Sequence, residues 1–194
     1  SIWVVFGTGD FARLDSAGKI LWHRNFVKEN GPIKTNHGYG VSPVLLEGRL
    51  FLALMHQGPS WVQAVDAATG KELWRADFKA MFETVGQTFG FVCSPLVDEG
   101  FLYVQTSGGL VKLNCETGEV VWRGLKEQGG MMGGAFSSPI LATLAGTRQI
   151  VVQTRAKLCG VDLATGADLW SVAIPSFRDM NILTPTIIGD RIFT

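Results

Sequence analysis

The stretch Asp66-Ala67-Ala68-Thr69-Gly70-Lys71-Glu72-Leu73-Trp74 decides the fold, because close copies of it recur along the chain. Full-length copies run from Asn114 to Trp122 and from Asp162 to Trp170, and a copy one residue shorter runs from Asp15 to Trp22. The tryptophans at positions 22, 74, 122 and 170 stand 52, 48 and 48 residues apart. Self-similarity at a fixed period indicates a protein built from tandem structural units.

A second landmark recurs in phase with the first. It is a Ser-Pro or Thr-Pro pair whose first residues are Ser42, Ser94, Ser138 and Thr184, at intervals of 52, 44 and 46 residues. Because two independent landmarks keep matching periods, the units extend over essentially the whole chain.

One unit reads as four short apolar segments separated by turn residues. The segments are Val44–Leu46, Arg49–Met55, Trp61–Val65 and Lys71–Ala76, and Glu47-Gly48 forms the first turn. Four short strands in roughly 48 residues are typical of one blade of a β-propeller. Helical periodicity is weak elsewhere, and only the segment from Lys79 to Thr84 has the pattern of a helical turn.

The recurrent stretch has a mechanical explanation. An Asp or Asn side chain accepts backbone N–H groups and ends the third strand, and the Gly supplies the positive φ of a bulged hairpin turn. The Trp that follows falls on the fourth, outermost strand, where its ring can cover the joint with the neighbouring blade. We therefore predict that these residues are structural and do not form a sugar or cofactor site. The set comprises Asp15, Gly18, Trp22, Asp66, Thr69, Gly70, Trp74, Asn114, Thr117, Gly118, Trp122, Asp162, Thr165, Gly166 and Trp170.

The phase of the repeats predicts an all-β chain that is one partial propeller domain. The chain begins in the second strand of one blade and ends in the second strand of the fifth, which amounts to about four blades of a seven- or eight-bladed ring. The expected blade pieces are residues 1–26, 41–78, 92–124, 137–174 and 183–194. Open sheet edges at both ends are expected to pair with further strands or to aggregate.

Composition narrows the classes of function. The chain has 17 basic and 17 acidic residues, so it lacks the positive field that gathers nucleic-acid phosphates. Hydrophobic residues make up 46% of the sequence, which argues against disorder, and no apolar run approaches the ~18 residues of a membrane span. A signal peptide is not visible, and both ends of the sequence are expected to be truncated.

Candidate binding residues lie in the long segments that precede each first strand. Those segments, 27–40, 78–90, 124–135 and 174–183, are expected to surround one mouth of the propeller channel, and loops on rigid scaffolds often carry function. The alternative is that they are ordinary solvated loops. His37 could ligate a metal or act as a base, but no second ligand has suitable spacing. The candidates are Asn36, His37, Tyr39, Gln87, Arg178 and Asn181.

The three cysteines, Cys93, Cys115 and Cys159, are isolated from one another. An odd number of separate cysteines favours small buried side chains over a redox site. The sequence also lacks a Gly-x-Ser-x-Gly, a His-Glu-x-x-His and a P-loop motif, so common hydrolase and nucleotide-binding signatures are absent.

The repeat resembles that of the pyrroloquinoline-quinone (PQQ) type β-propellers. The resemblance is carried by the pattern Ala-x-Asp-x-x-Thr-Gly-x-x-x-Trp at residues 64–74 and by the stretch from Ser42 to Phe51. This family includes quinoprotein dehydrogenases and the non-enzymatic lipoprotein scaffold of outer-membrane β-barrel assembly. The resemblance implies an eight-bladed ring in a periplasmic or extracellular bacterial protein.

The resemblance leads to two expectations about function. The first is a non-catalytic scaffold without a cofactor that binds a protein, a peptide or a small ligand at its loop-rich face or by its exposed strand edges. The second is a fragment of a dehydrogenase that oxidises an alcohol or sugar with PQQ and calcium. The dehydrogenases use adjacent cysteines and a Glu, an Asn and an Asp around calcium, and neither adjacent cysteines nor a suitable acidic cluster occurs in this chain. A sensor domain attached to another module is a third possibility.

Overall fold

The computed structural model describes residues 1–32, 34, 39–54, 60–82, 92–106, 108–126, 136–177 and 180–194. These residues form short strands and two single-turn helices. The strands are β1 (Ile2–Val5), β2 (Asp10–Leu14), β3 (Ile20–Asn25), β4 (Val44–Leu46), β5 (Arg49–Leu54), β6 (Trp61–Asp66), β7 (Glu72–Asp77), β8 (Leu96–Asp98), β9 (Phe101–Thr106), β10 (Gly109–Asn114), β11 (Val120–Gly124), β12 (Ile140–Leu144), β13 (Thr147–Gln153), β14 (Lys157–Val161), β15 (Asp168–Ala173), β16 (Thr186–Ile188) and β17 (Arg191–Phe193). The helices are α1 (Phe26–Asn30) and α2 (Phe78–Phe82).

Strands that follow one another along the chain pair antiparallel. Strands β4 to β7, β8 to β11 and β12 to β15 form three four-stranded sheets, while β1 to β3 and β16 to β17 form a three-stranded and a two-stranded sheet. This confirms the predicted all-β fold, in which each sheet is one blade of a partial propeller. Below, the sheets are called blades 1 to 5 in chain order.

Two kinds of tight turn hold each blade together. Between the first and second strands, Glu47 and Gly48 both have positive φ, 47° and 78°, which is the two-residue turn that matches strand twist. Between the third and fourth strands, Gly70 has φ of 75° and the pairing shifts by one residue between Ala64 and Val65. This shift is the bulge that the Asp-x-x-Thr-Gly stretch predicts.

The hydrophobic core lies between neighbouring blades. Phe51 and Val62 of blade 2 share one buried cluster with Leu102 and Val111 of blade 3. Burying a side chain of this size contributes about 1.5–3 kcal/mol, so each blade is held mainly by the faces of its neighbours. The three cysteines lie buried in these layers, which confirms the prediction made for them.

The recurrent Ser-Pro and Thr-Pro pairs link the inner ends of the blades. The backbone N–H of Ser42 donates to the hydroxyl of Ser94 at 3.2 Å, and the N–H of Ser94 donates to that of Ser138 at 2.9 Å. The N–H of Ser138 donates in turn to Thr184 Oγ1 at 3.2 Å. The second landmark of the sequence is therefore a chain of hydrogen bonds that connects four successive blades.

The helices differ from the sequence prediction in one respect. Helix α2 matches the start of the expected helical turn, whose end at Thr84 lies outside the described residues. Helix α1 was not predicted. It begins because the side chain of Asn25 accepts the backbone N–H of Lys28 at 2.9 Å, which caps the first turn.

Candidate functional site

The hydrogen bonds between connections divide the molecule into two faces. On one face, in blades 2 and 3, the turn after the third strand contacts the turn after the first strand, as where the N–H of Ala67 donates to Gly48 O at 2.7 Å. On the other face, in blades 1, 2 and 4, the segment after the fourth strand contacts the connection between strands two and three, as where the N–H of Phe78 donates to Ser60 O at 2.9 Å. We call these the turn face and the loop face.

The turn face is built from the recurrent aspartate turn. One carboxylate oxygen of Asp66 accepts the N–H of Ala68 at 3.1 Å and both the N–H and the hydroxyl of Thr69 at 2.7 Å. The hydrogen bonds from Thr69 are the main reason that the pKa of Asp66 lies below its usual value. Asp162 makes the same three contacts in blade 4, and its pKa is lowered for the same reason.

Trp22, Trp74 and Trp122, called the docking tryptophans below, join their blades to the turn of the next blade. The indole N–H of Trp74 donates to Cys115 O at 2.9 Å, and its ring lies over Gly118. A Cβ on Gly118 would lie 2.5 Å from the ring, so only glycine fits at that point. Trp22 and Trp122 make the equivalent contacts with the turns of blades 2 and 4. The contacts of the turn face are thus the ones that hold neighbouring blades together.

The loop face carries the two helices, each of which is held by an arginine of the following blade. Arg75 donates to the side-chain oxygen of Asn30, the last residue of α1, at 2.8 Å. The guanidinium of Arg123 lies 4.3 Å from the ring centre of Phe82, the last residue of α2, and donates to Gly108 O at 2.8 Å. A cation over an aromatic face in a partly buried setting is a favourable contact. The loop face therefore presents helices in fixed positions.

Sequence reasoning missed both arginines, although a signal for them was present. Arg75 and Arg123 each come directly after a docking tryptophan, at positions 74 and 122. Since the tryptophan points toward the next blade, the neighbouring residue on the strand points the other way, toward the helix that precedes the blade.

Two of the six predicted binding residues are described, and their side chains are engaged within the chain. The hydroxyl of Tyr39 donates to Ala53 O at 3.1 Å, and burial raises the pKa of this phenol above its usual value. The amide of Asn181 is buried and donates to Thr154 O at 2.9 Å and to Arg155 O at 3.0 Å. Both side chains fix loop-face segments in place. Asn36, His37, Gln87 and Arg178 lie outside the described residues.

Beneath the loop face, blades 3 and 4 place a glutamine at the same position of their second strands. The side-chain amide of Gln105 donates to the backbone oxygen of Gln153 at 3.0 Å, which ties the two blades together. The Oε1 atoms of both glutamines are buried and have no hydrogen-bond partner among the described residues. These oxygens are acceptors that a water molecule or another donor would satisfy.

Within the described residues, no three His, Cys, Asp or Glu side chains lie close enough to hold a metal ion. His23 pairs with Asp10 at 2.8 Å on an outer strand, and the hydrogen bonds to Asp10, led by that from Thr8, lower its pKa to about 2. The helices in the same part of the chain are all too short or too polar to cross a membrane.

Comparison with known proteins identifies the repeat. The model of a family described as outer membrane protein assembly factor BamB matches residues 7–194. No curated protein matches the sequence.

Several solved structures share the fold. BamB from Moraxella catarrhalis superposes with a TM-score of 0.62 at 17% identity, covering 96% of this chain and 49% of its own. Two quinohemoprotein alcohol dehydrogenases match as well. The enzyme from Comamonas testosteroni has a TM-score of 0.67 at 18% identity, with 89% of this chain and 34% of its own covered. The enzyme ADHIIG from Pseudomonas putida HK5 has 0.66 at 19%, with 89% and 33% covered. This chain thus spans between a third and a half of these structures, and the likeness shows the fold.

Proposed function

Because this chain belongs to the family described as outer membrane protein assembly factor BamB, we propose that it is part of a non-catalytic propeller that binds other proteins. The scaffold acts in the periplasm or outside the cell of a bacterium. Its partner is a protein or peptide that docks on the loop face. The observation that carries this proposal is the family match over residues 7–194.

The division of the molecule into two faces supports the choice of the loop face. On the turn face, the same carboxylate, glycine and tryptophan contacts recur from blade to blade, so its groups are used in holding the ring together. On the loop face, α1 and α2 are different in sequence and are held in place by Arg75 and Arg123. A rigid scaffold that carries varied, anchored loops is the usual arrangement of a recognition surface.

A quinoprotein dehydrogenase is the second candidate, because two solved structures with the same fold are quinohemoprotein alcohol dehydrogenases. Such an enzyme requires PQQ, which carries out the redox chemistry, and calcium. The described residues provide no cluster of metal-binding side chains, and the sequence holds no adjacent cysteines. The scaffold is the first candidate because the family model matches residues 7–194.

Site-specific photo-crosslinking tests the scaffold directly. The chain would be directed to the periplasm of a Gram-negative bacterium with a photo-reactive phenylalanine at Met81 on the loop face, which is 52% exposed. A matched variant would carry it at Glu116, an exposed residue of the turn face. We expect crosslinks to outer-membrane assembly proteins from position 81 and none from position 116. Crosslinks from neither position, or from both equally, would overturn the proposal.

A turnover assay on the purified chain tests the alternative, a dehydrogenase. Purified chain would be incubated with PQQ and calcium and assayed for alcohol- or sugar-dependent reduction of a dye. We expect no turnover above a control without protein. Stoichiometric PQQ binding with turnover would contradict the scaffold proposal and support the dehydrogenase.

A further inference from the structure

The third strands of blades 1 to 3 differ at the position that pairs with the docking tryptophan. The residue there is Arg13 in blade 1, Ala64 in blade 2 and Lys112 in blade 3. Both basic side chains reach the turn of the following blade. Arg13 donates to Ala68 O at 3.0 Å, and Lys112 Nζ donates to Leu163 O at 2.8 Å. The joint between blades 2 and 3 therefore lacks the third-strand cation that is present in the joints on either side of it.

Lys112 shows how such a cation is held between two blades. Only 7% of the residue is exposed. Besides its hydrogen bond to Leu163 O, the ammonium nitrogen lies 3.9 Å from the ring centre of Phe101 and 5.5 Å from that of Tyr103. Burial lowers the pKa of Lys112, and nearby carboxylates, chiefly that of Asp162, oppose this shift. A carbonyl oxygen, aromatic rings and carboxylates are groups that stabilise a buried ammonium ion.

The same place in the joint between blades 2 and 3 is a cavity of about 230 Å³. The residues that contact Lys112 Nζ or act on its charge are Asp98, Glu99, Phe101, Tyr103, Asp162 and Leu163. Their counterparts one blade earlier, matched by strand register and by the turns, all line the cavity. These counterparts are Leu46, Glu47, Arg49, Phe51, Asn114 and Cys115. The cavity thus takes the place that a lysine side chain has in the next joint.

The turn carbonyl that lines this cavity has one donor fewer than its counterparts. A backbone carbonyl oxygen has two lone pairs. In the joints on either side, Ala67 O and Leu163 O each accept hydrogen bonds from two side chains. Among the described residues, Cys115 O accepts only the indole N–H of Trp74, at 2.9 Å. The second lone pair of Cys115 O is therefore available to a ligand that donates a hydrogen bond.

The charges around the cavity favour a positive ligand. Three glutamates line it, Glu47, Glu99 and Glu116, together with one basic side chain, that of Arg49. Arg49 pairs with Glu116 at 3.7 Å, and Glu99 pairs with an arginine of blade 4 at 3.0 Å. Within the described part of the chain, Glu47 has no ion pair, so its carboxylate attracts a cation to the cavity.

We propose that the cavity between blades 2 and 3 binds a free alkylammonium ion, the protonated form of a small aliphatic primary amine. Its ammonium group donates to Cys115 O near the carboxylate of Glu47, and its alkyl chain lies against Phe51. At about 230 Å³ the cavity is smaller than the ~300–1,000 Å³ of sites for drug-sized ligands, so it fits an amine of few carbon atoms. The proposal is independent of the proposed function, which places a protein partner on the loop face.

Calorimetric titration of the purified chain with n-butylamine tests this site. At pH 7 the amine is protonated, because the pKa of an alkyl amine such as lysine is about 10.4. We expect one saturable site per chain. Binding of n-butanol, which has the same alkyl chain without the charge, should be at least about tenfold weaker. In Ala64→Lys the binding of n-butylamine should be lost, because the new side chain starts from the position of Lys112 in the next blade and fills the cavity.

A second variant tests the same site without depending on the folding of Ala64→Lys. Lys112→Ala opens the equivalent place between blades 3 and 4, so n-butylamine should bind at two sites per chain. Lys71→Ala is the matched control, since it removes an exposed lysine of the turn face and should leave one site.

Several results would overturn the proposal. They are the absence of saturable binding to the wild-type chain, equal binding of n-butanol, undiminished binding to Ala64→Lys, and a single site in Lys112→Ala. A capped lysine peptide that bound more tightly than n-butylamine would identify a protein side chain as the ligand, which would contradict the assignment to a free amine.

Discussion

The turn face and the loop face are built on the same strands but differ in how regularly their contacts repeat from blade to blade. On the turn face, the carboxylate of Asp66, the glycine at position 70 and the tryptophan at position 22 repeat their contacts from blade to blade. On the loop face, the contacts are particular to each blade, as with Asn30 on Arg75 and Phe82 on Arg123. The difference shows that the period of the sequence records the contacts between blades, while the contacts of the loop face are made by segments that do not follow the period.

The largest expected effect lies on the turn face. In Gly118→Ala the new Cβ would stand 2.5 Å from the ring of Trp74, and φ of 75° disfavours any side chain. Left-handed strain of about 1–2 kcal/mol and overpacking of about 1–3 kcal/mol together predict a loss of roughly 3 kcal/mol in the free energy of unfolding. Urea denaturation monitored by circular dichroism measures it. Gly100→Ala is the control, since φ is 79° but the space around Gly100 is open. An equal loss in both variants would contradict the docking account.

A smaller and local effect is expected on the loop face. Arg123→Ala removes the contact with Phe82 and the hydrogen bond to Gly108 O. Together these are worth about 1–2 kcal/mol. Because α2 lies at the surface, hydrogen exchange should accelerate in residues 78–82 while the strands of blade 2 keep their protection. Uniformly faster exchange throughout blade 2 would show that the arginine supports the framework instead.

The smallest effect concerns pH and compares two copies of the aspartate turn. The pKa of Asp66 is lowered in the folded chain, so its turn adds stability above the usual aspartate pKa of 3.8 and loses it as the pH falls through the lowered value. Asn114 fills the same position in blade 3 and accepts the N–H groups of Glu116 and Thr117 without a charge. Asp66→Asn should therefore reduce the loss of stability between pH 7 and pH 3, and Asn114→Asp should increase it. Urea titrations at both pH values measure the change, and shifts of the same sign in the two variants would refute this explanation.

The strands and turns of the blades could be predicted from the sequence, because a contact that recurs in successive blades requires the same residue type at the same position of each repeat. The positions of Trp74 and Gly70 in the sequence indicate the blade, the turn and a joint with a neighbouring blade. One turn was not predicted. Gly146 forms the first turn of blade 4 with φ of 78°. The hairpin from β12 to β13 is longer than its counterparts in the other blades, so this glycine does not follow the period of the repeat.

The loop face could not be predicted to the same depth, because its contacts join residues that share no period. The sequence makes Tyr39 and Asn181 candidate binding residues but does not predict that the Tyr39 hydroxyl donates to Ala53 O and the Asn181 amide to Thr154 O. Arg75 and Arg123 hold the helices through contacts that reach back to the segment before their own blade. Helix α1 depends on one cap residue, Asn25, in a region without helical periodicity.

A double-mutant cycle on Trp74 and Gly118 tests the central claim, that a tryptophan seated on a glycine turn locks each of blades 1 to 3 to the blade that follows it. The free energy of unfolding would be measured for the wild-type chain, Gly118→Ala, Trp74→Ala and the double variant. If the ring is what excludes a side chain at position 118, the cost of Gly118→Ala falls from roughly 3 kcal/mol to the ~1–2 kcal/mol of backbone strain once the ring is removed. The same cost with and without Trp74 would contradict the account.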